Sequence, residues 1–133
     1  MRIVIDTNVI ISAVFFGGMP RRLIEHLFND DFTAFVSPQI VQEYAETYEE
    51  VHKKYSDRGN PAILQKILEK STVFIPQKEV AICRDPDDDK FISCALEGKC
   101  LYIVSGDNDL LSLGKVEDVE IVTIVEFLEK IEK

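Results

Sequence analysis

Acidic residues stand where predicted strands end and where predicted helices run. Asp6 follows the run Arg2-Ile3-Val4-Ile5, which is apolar after its first residue, and Asp107 comes shortly after the apolar residues 101–104. If these runs form neighbouring parallel strands, both acids emerge at the carboxyl edge of the sheet, where open α/β sheets bind their ligands. Carboxylates crowded at such an edge repel one another, so the pocket needs a compensating cation or raised pKa values. We favour a divalent metal ion.

The densest acidic run is residues 85–89, which contains four aspartates. The first turn of a helix has only a few unpaired N–H groups, so these acids cannot all be helix caps. A solvated helix N-terminus explains Asp89 poorly, because Asp89 lies beside the predicted buried face. Asp88 aligns with Ile92 and Ala95 on that face. Helical spacing alone therefore does not choose between Asp88 and Asp89.

Each acid taken alone also has a purely structural explanation. Asp6 could act as a helix cap, which the helix dipole favours. Glu43 could be an ordinary surface carboxylate of its predicted helix. Residues 105–109 have the composition of a turn, and Asp109 could cap a short helix at Leu110. As a set, the acids mean more, because oxygen ligands without histidine or thiolate select Mg²⁺ or Mn²⁺, and such ions held by carboxylates can hydrolyse phosphodiesters.

Composition describes a single domain over residues 1–133, with no linker, repeat or low-complexity tract. The net charge of −9 argues against tight nonspecific binding to nucleic acid, but leaves room for an enzyme whose metal supplies the positive charge. The three cysteines form no CxxC pair and are expected to be reduced thiols. With no convincing secretion signal and no apolar run long enough to cross a bilayer, we expect a cytoplasmic protein.

Short β-branched runs alternate with amphipathic segments, and this alternation predicts an α/β fold with a mainly parallel sheet. We expect a helical hairpin projecting from the sheet within residues 37–70, and Gly98 is expected to end a helix as its C′ residue. The predicted strands are residues 2–6, 33–36, 72–75, 101–105 and 120–122. The predicted helices begin near Thr7, Pro20, Ser37, Pro61, either Asp85 or Asp87, and Thr123.

The order of four short motifs resembles that of the PIN-domain nucleases, and the similarity spans nearly the whole chain. The chain looks like the toxin-type ribonucleases of toxin–antitoxin pairs. The resemblance implies a three-layer α/β/α sandwich and a pocket that holds Mg²⁺ or Mn²⁺. The matching segments are residues 4–9, 37–43, 89–95 and 104–107.

The same resemblance implies a role for each acid. The helix acid is assigned to Asp89, and metal binding and catalysis are assigned to Asp6, Glu43, Asp89 and Asp107. Residues expected to orient these ligands by contact are Thr7, Asn8, Ser105 and, one step beyond the motif, Asp109. Similar proteins act on RNA, form homodimers and are inhibited by a small antitoxin. Residues 49–61 fit the family pattern poorly.

Two other functions compete with the ribonuclease hypothesis. A PIN-like fold could keep its acids and serve as a non-catalytic binding module, which the strong negative charge favours. Transfer of a phosphoryl group through an aspartyl phosphate is the other alternative. It fits less well, because haloacid-type phosphatases need a second aspartate where this chain has Asn8.

Overall fold

The computed structural model describes residues 1–133 and confirms the predicted α/β/α fold. Six strands form one sheet, and seven α-helices surround it. The strands are β1 (Arg2–Ile5), β2 (Thr33–Val36), β3 (Thr72–Val73), β4 (Tyr102–Val104), β5 (Lys115–Val116) and β6 (Val119–Val122). The helices are α1 (Thr7–Phe15), α2 (Gly18–Phe28), α3 (Pro38–Lys54), α4 (Pro61–Lys70), α5 (Asp89–Glu97), α6 (Asn108–Leu111) and α7 (Ile124–Ile131), and a 3₁₀ turn at Pro86–Asp88 precedes α5.

The strand order β3-β2-β1-β4-β6-β5 places the first strand at the centre of the sheet. All pairs are parallel except β5–β6. The chain runs outward from β1 to β3 and then returns to lay β4 on the other side of β1. The topological switch point therefore falls between β1 and β4, which is where sheets of this kind open a crevice for a ligand.

The helices begin at residues that can satisfy their free N–H groups. Ser37 accepts a hydrogen bond from the Ile40 N–H at 3.2 Å, and Pro38 occupies the first position of α3, as predicted. Asn60 and Pro61 open α4 in the same way. Since proline has no N–H to satisfy and its φ already suits a helix, these pairs fix where α3 and α4 start.

One continuous hydrophobic core joins the sheet to the helices. Helix α5 packs against β1, β2 and β4, and α1 packs against α2, α3 and α4. The strand residues Ile3, Val4, Ile103 and Val104 are fully buried, as expected for parallel strands covered on both faces. The core therefore fixes β1 and β4, the two strands that carry the acids.

Several sequence predictions need correction. Helix α4 packs against α1 and α2 because Leu64 and Ile67 are buried there, so residues 37–70 belong to the helical layer and do not project as a hairpin. Strand β3 ends at Val73, two residues earlier than predicted. It pairs with β2 alone, and β2 ends at Val36, the partner of Val73. The short antiparallel strand β5 was not predicted.

Gly98 does not take the left-handed conformation expected of a C′ residue. Its φ is −74°, and Lys99 adopts the positive φ of 55° instead. Glycine is required for another reason, because a Cβ atom there would lie 2.7 Å from the Cys94 carbonyl oxygen and 2.8 Å from the Phe35 ring. The small residue thus allows the end of α5 to approach β2 closely.

None of the helices combines the length and the apolar character that crossing a bilayer requires.

Candidate active site

Asp6 and Asp107 meet at the switch point between β1 and β4. Ile5 pairs with Val104, and the Asp6 N–H continues the ladder by donating to the Val104 carbonyl at 2.9 Å. The fully buried Ser105 donates from its hydroxyl to Asp6 Oδ2 at 2.7 Å. The same hydroxyl oxygen accepts the Asp107 N–H at 2.9 Å. One serine thus fixes the carboxylate of the first acid and the backbone of the second.

The surroundings of Asp6 disfavour its ionised form. The side chain is only 5% exposed, and burial is the largest of the effects that raise its pKa. The hydrogen bonds from Ser105 and from the Thr7 backbone lower that pKa, but the negative charges of Asp107 and Glu43 raise it further. The net result is a raised pKa, as expected of a carboxylate that shares its site with other acids.

Asp88 is the third acid of this cluster. It closes the 3₁₀ turn before α5, and its pKa is raised to about 7. Burial is the largest cause, followed by a hydrogen-bonding contact with Asp107 and by the negative charges of Asp107, Asp6 and Asp85. Asp88 therefore lies next to Asp107, and we name Asp6, Asp88 and Asp107 the acid cluster.

Asp89, the helix acid that the resemblance assigned, has different contacts. Its Oδ1 accepts the N–H of Ile82 at 3.1 Å and the N–H of Cys83 at 2.8 Å. Partial burial opposes ionisation, but these hydrogen bonds outweigh it and lower the pKa of Asp89. Asp88 thus contacts Asp107, whereas two backbone N–H groups hold the Asp89 carboxylate, and a ligand role for Asp89 stays a prediction.

Glu43 lies next to the acid cluster, with both carboxylate oxygens engaged. The buried Thr7 hydroxyl donates to its Oε2. The Lys90 ammonium lies 2.7 Å from its Oε1. Helix α3 is held in place here because the buried Tyr44 hydroxyl donates to the Ile5 carbonyl, the last residue of β1. The sequence analysis did not name Lys90. Its position directly after the acidic residues 85–89 was the one feature of the sequence that could have pointed to it.

The remaining predicted residues lie near the cluster in different ways. Thr7 and Ser105 contact acids directly, as described above. Asn8 is exposed and lines a cavity of about 280 Å³ together with Asp107. Asp109 contributes its backbone N–H to Asp107 Oδ1 at 3.0 Å, so the residue that caps α6 is Asp107. The orienting roles of Asn8 and Asp109 stay predictions.

A larger cavity of about 520 Å³ opens beside the acid cluster. Glu43, Asp89 and Lys90 are among its twelve lining residues, whereas none of the three cluster acids lines it. No group of three or more histidine, cysteine, aspartate or glutamate side chains stands close enough to form a ready metal-ligand shell. The carboxylate oxygens of the acid cluster therefore lie at one edge of the sheet. The cavity beside them is large enough to admit part of a ligand.

Comparison with known proteins adds two findings. Residues 2–109 match the family model described as the PIN domain, and this range contains every acid discussed above. The chain is also 34% identical to a protein of Methanocaldococcus jannaschii named uncharacterized protein MJ1680. That similarity covers 100% of this chain and 93% of the relative.

Proposed function

Because the chain belongs to the PIN-domain family, whose members are generally nucleases, we propose that it is a metal-dependent endoribonuclease. The observation that carries the proposal is the meeting of Asp6, Asp88 and Asp107 at the switch point of the sheet. Burial raises the pKa of Asp6 and of Asp88, and carboxylates with raised pKa values in a crevice are typical of a functional site.

The donor set suits a hard divalent cation. Asp6, Asp88 and Asp107 offer oxygen atoms only, which Mg²⁺ and Mn²⁺ prefer, and neither histidine nor cysteine belongs to the cluster. Burial is the largest cause of the raised pKa of Asp6 and of Asp88, and a cation would offset the further contribution of the neighbouring negative charges. We therefore propose that these three aspartates hold Mg²⁺ or Mn²⁺, with Glu43 at the border of the site.

Each side chain then has a defined task. When bound, a divalent cation lowers the pKa of water and stabilises the negative charge that develops at phosphorus. Ser105 keeps the Asp6 carboxylate turned toward Asp107 through its 2.7 Å hydrogen bond. Thr7 fixes Glu43, which keeps α3 close to the end of β1. These contacts hold the side chains of Asp6 and Glu43 in place in the absence of a ligand.

Replacement of Asp6 by Asn tests the proposal. We expect Asp6→Asn to abolish Mn²⁺-dependent cleavage of a labelled single-stranded RNA, because an amide oxygen is a far weaker ligand than a carboxylate, while the circular dichroism spectrum stays unchanged. Asp118→Asn is the matched control, since Asp118 is an exposed acid on the β5–β6 turn. Cleavage by Asp6→Asn at the wild-type rate would rule this site out.

A non-catalytic binding module is the second candidate. The pairing of Glu43 with Lys90 and the lack of a ready ligand shell favour it. Calorimetric titration with Mn²⁺ separates the two functions. A nuclease should bind Mn²⁺ in the wild type and lose that binding in Asp6→Asn, whereas a scaffold should bind none in either protein.

We further propose that the protein is the toxin of a toxin–antitoxin pair and acts as a homodimer. The support is the order of the sequence motifs described above. Co-expression with the product of the neighbouring upstream reading frame tests the role. A cognate antitoxin should restore growth to cells that the protein alone inhibits and should co-purify with it. Normal growth of cells that produce active enzyme alone would contradict the toxin role.

A further inference from the structure

Lys90 is a partly buried cation in an acidic environment. It lies in the first turn of α5, and its side chain is only 14% exposed. Its Nζ lies 2.7 Å from Glu43 Oε1. Of the twelve residues that line the larger cavity, Lys90 is the one with a positive charge, whereas five are acids. Any phosphate that enters this cavity therefore meets a single protein cation.

The helix dipole does not favour a lysine at this position. The N-terminal end of a helix carries partial positive charge, so a cation in the first turn of α5 is unfavourable there. Lysine side chains usually keep their ammonium groups in water. An ammonium has three N–H donors, of which Lys90 directs one to Glu43 and one to the Asp87 carbonyl. One donor remains for a ligand.

We propose that Lys90 is a catalytic residue that contacts a non-bridging oxygen of the phosphate at which RNA is cut. This inference rests on the ribonuclease function proposed above. In that reaction a water oxygen bonds to phosphorus, and the bond from phosphorus to one ribose oxygen breaks. The water loses a proton to solvent, and the leaving ribose oxygen gains one. Negative charge builds up on the non-bridging oxygens, where an ammonium stabilises it.

Glu43 becomes the positioning residue of this arrangement. Thr7 holds one of its oxygens, and its other oxygen holds Lys90. The chain of contacts from Thr7 to Lys90 ties the ammonium to the residue that directly follows Asp6. A phosphate that enters the larger cavity would thus find the cation at a fixed place, although the other charged residues of the cavity are acids.

Two variants and one control test the proposal in the full-length protein. Lys90→Gln removes the charge, and Lys90→Arg keeps it. The control Lys66→Gln removes a charge from α4, where the Lys66 ammonium makes a cation–π contact with the Phe28 ring. With Mn²⁺ we expect kcat to fall about a hundredfold in Lys90→Gln, the effect of losing one donor to a developing negative charge. The kcat of Lys90→Arg should be at least tenfold higher than that of Lys90→Gln.

Binding provides a readout that does not depend on turnover. Fluorescence anisotropy with a labelled single-stranded RNA in EDTA gives the dissociation constant over a salt series. Loss of one phosphate contact should reduce the slope of log Kd against log salt by about 0.7. We expect this reduction in Lys90→Gln and not in Lys66→Gln or Lys90→Arg.

The outcomes separate this inference from the proposed function. If the wild type cleaves RNA and Lys90→Gln keeps both its kcat and its salt slope, the inference is wrong and the ribonuclease function stands. A fall in kcat with an unchanged slope, matched by an equal fall in Glu43→Gln, means that Lys90 only holds Glu43 and also refutes the inference. If the wild type does not cleave, both fail. Should Lys90→Gln not fold, a reduced salt slope in Lys90→Arg would overturn the proposal.

Discussion

Replacing Asp88 by Asn should stabilise the metal-free protein at neutral and alkaline pH. The pKa of Asp88 is raised from its ordinary value of 3.8 to about 7, with burial as the largest cause and the contact with Asp107 next. The folded protein must therefore hold an unfavourable charge once the pH exceeds this pKa. Asparagine keeps the shape of the side chain and removes the charge.

The sign and size of the effect follow from proton linkage. Between pH 3.8 and about 7 the folded protein keeps the Asp88 proton that the unfolded chain has lost, so the free energy of unfolding falls as pH rises through this window. It stays low above pH 7. The separation of the two pKa values corresponds to about 4 kcal/mol at most. Because Asp88 is partly exposed, solvent screening reduces this, and we expect about 1 to 2 kcal/mol.

Urea unfolding in EDTA at pH 4, 6 and 8 measures the difference between wild type and Asp88→Asn. We expect near-equal stability at pH 4 and a growing advantage for the variant toward pH 8. Asp118→Asn serves as the control, because Asp118 is exposed. A difference that does not change with pH, or a less stable variant at pH 8, would refute the claim that ionisation of the partly buried Asp88 opposes folding.

Two further predictions concern the elements that position the site. Tyr44→Phe should lower the free energy of unfolding by about 1 to 3 kcal/mol, because the buried Ile5 carbonyl loses its hydrogen bond, whereas Tyr102→Phe should change it by less than about 0.5 kcal/mol. Equal thermal melting of the two variants would contradict this. Thr123→Ala should cost about 1 kcal/mol, since Thr123 and Glu126 form a capping box at the start of α7, and a urea midpoint equal to that of the wild type would show that the box contributes nothing.

The sequence predicts the centre of the fold better than its edges. The sequence predicts that Asp6 and Asp107 lie close together, because each follows an apolar run long enough to indicate a buried strand. Strand β5 could not be predicted, since it has only two residues and is defined by its pairing with β6. Short segments at a sheet edge carry too little periodicity to be distinguished from a turn.

Helical spacing could not choose between Asp88 and Asp89, for a physical reason. Helical spacing assumes about 100° per residue, whereas the turn at Pro86–Asp88 is a 3₁₀ turn with about 120° per residue. Asp88 is the last residue of that turn and directly precedes α5, so it departs from helical spacing by about 20°. The Asp89 carboxylate is also captured by two N–H groups from the irregular residues 82–83, which no pattern predicts.

The electrostatics of the site link its stability to its proposed chemistry. A chain with a net charge of −9 gathers further acids at a crevice, which opposes both folding and the approach of a phosphate. Lys90 offsets only Glu43, because their ion pair is the one salt bridge at the site. The charges of Asp6, Asp88 and Asp107 remain without a cation from the protein. Such unpaired charge weakens the fold, and the cation uptake that we propose for this site would be a physical reason to keep it.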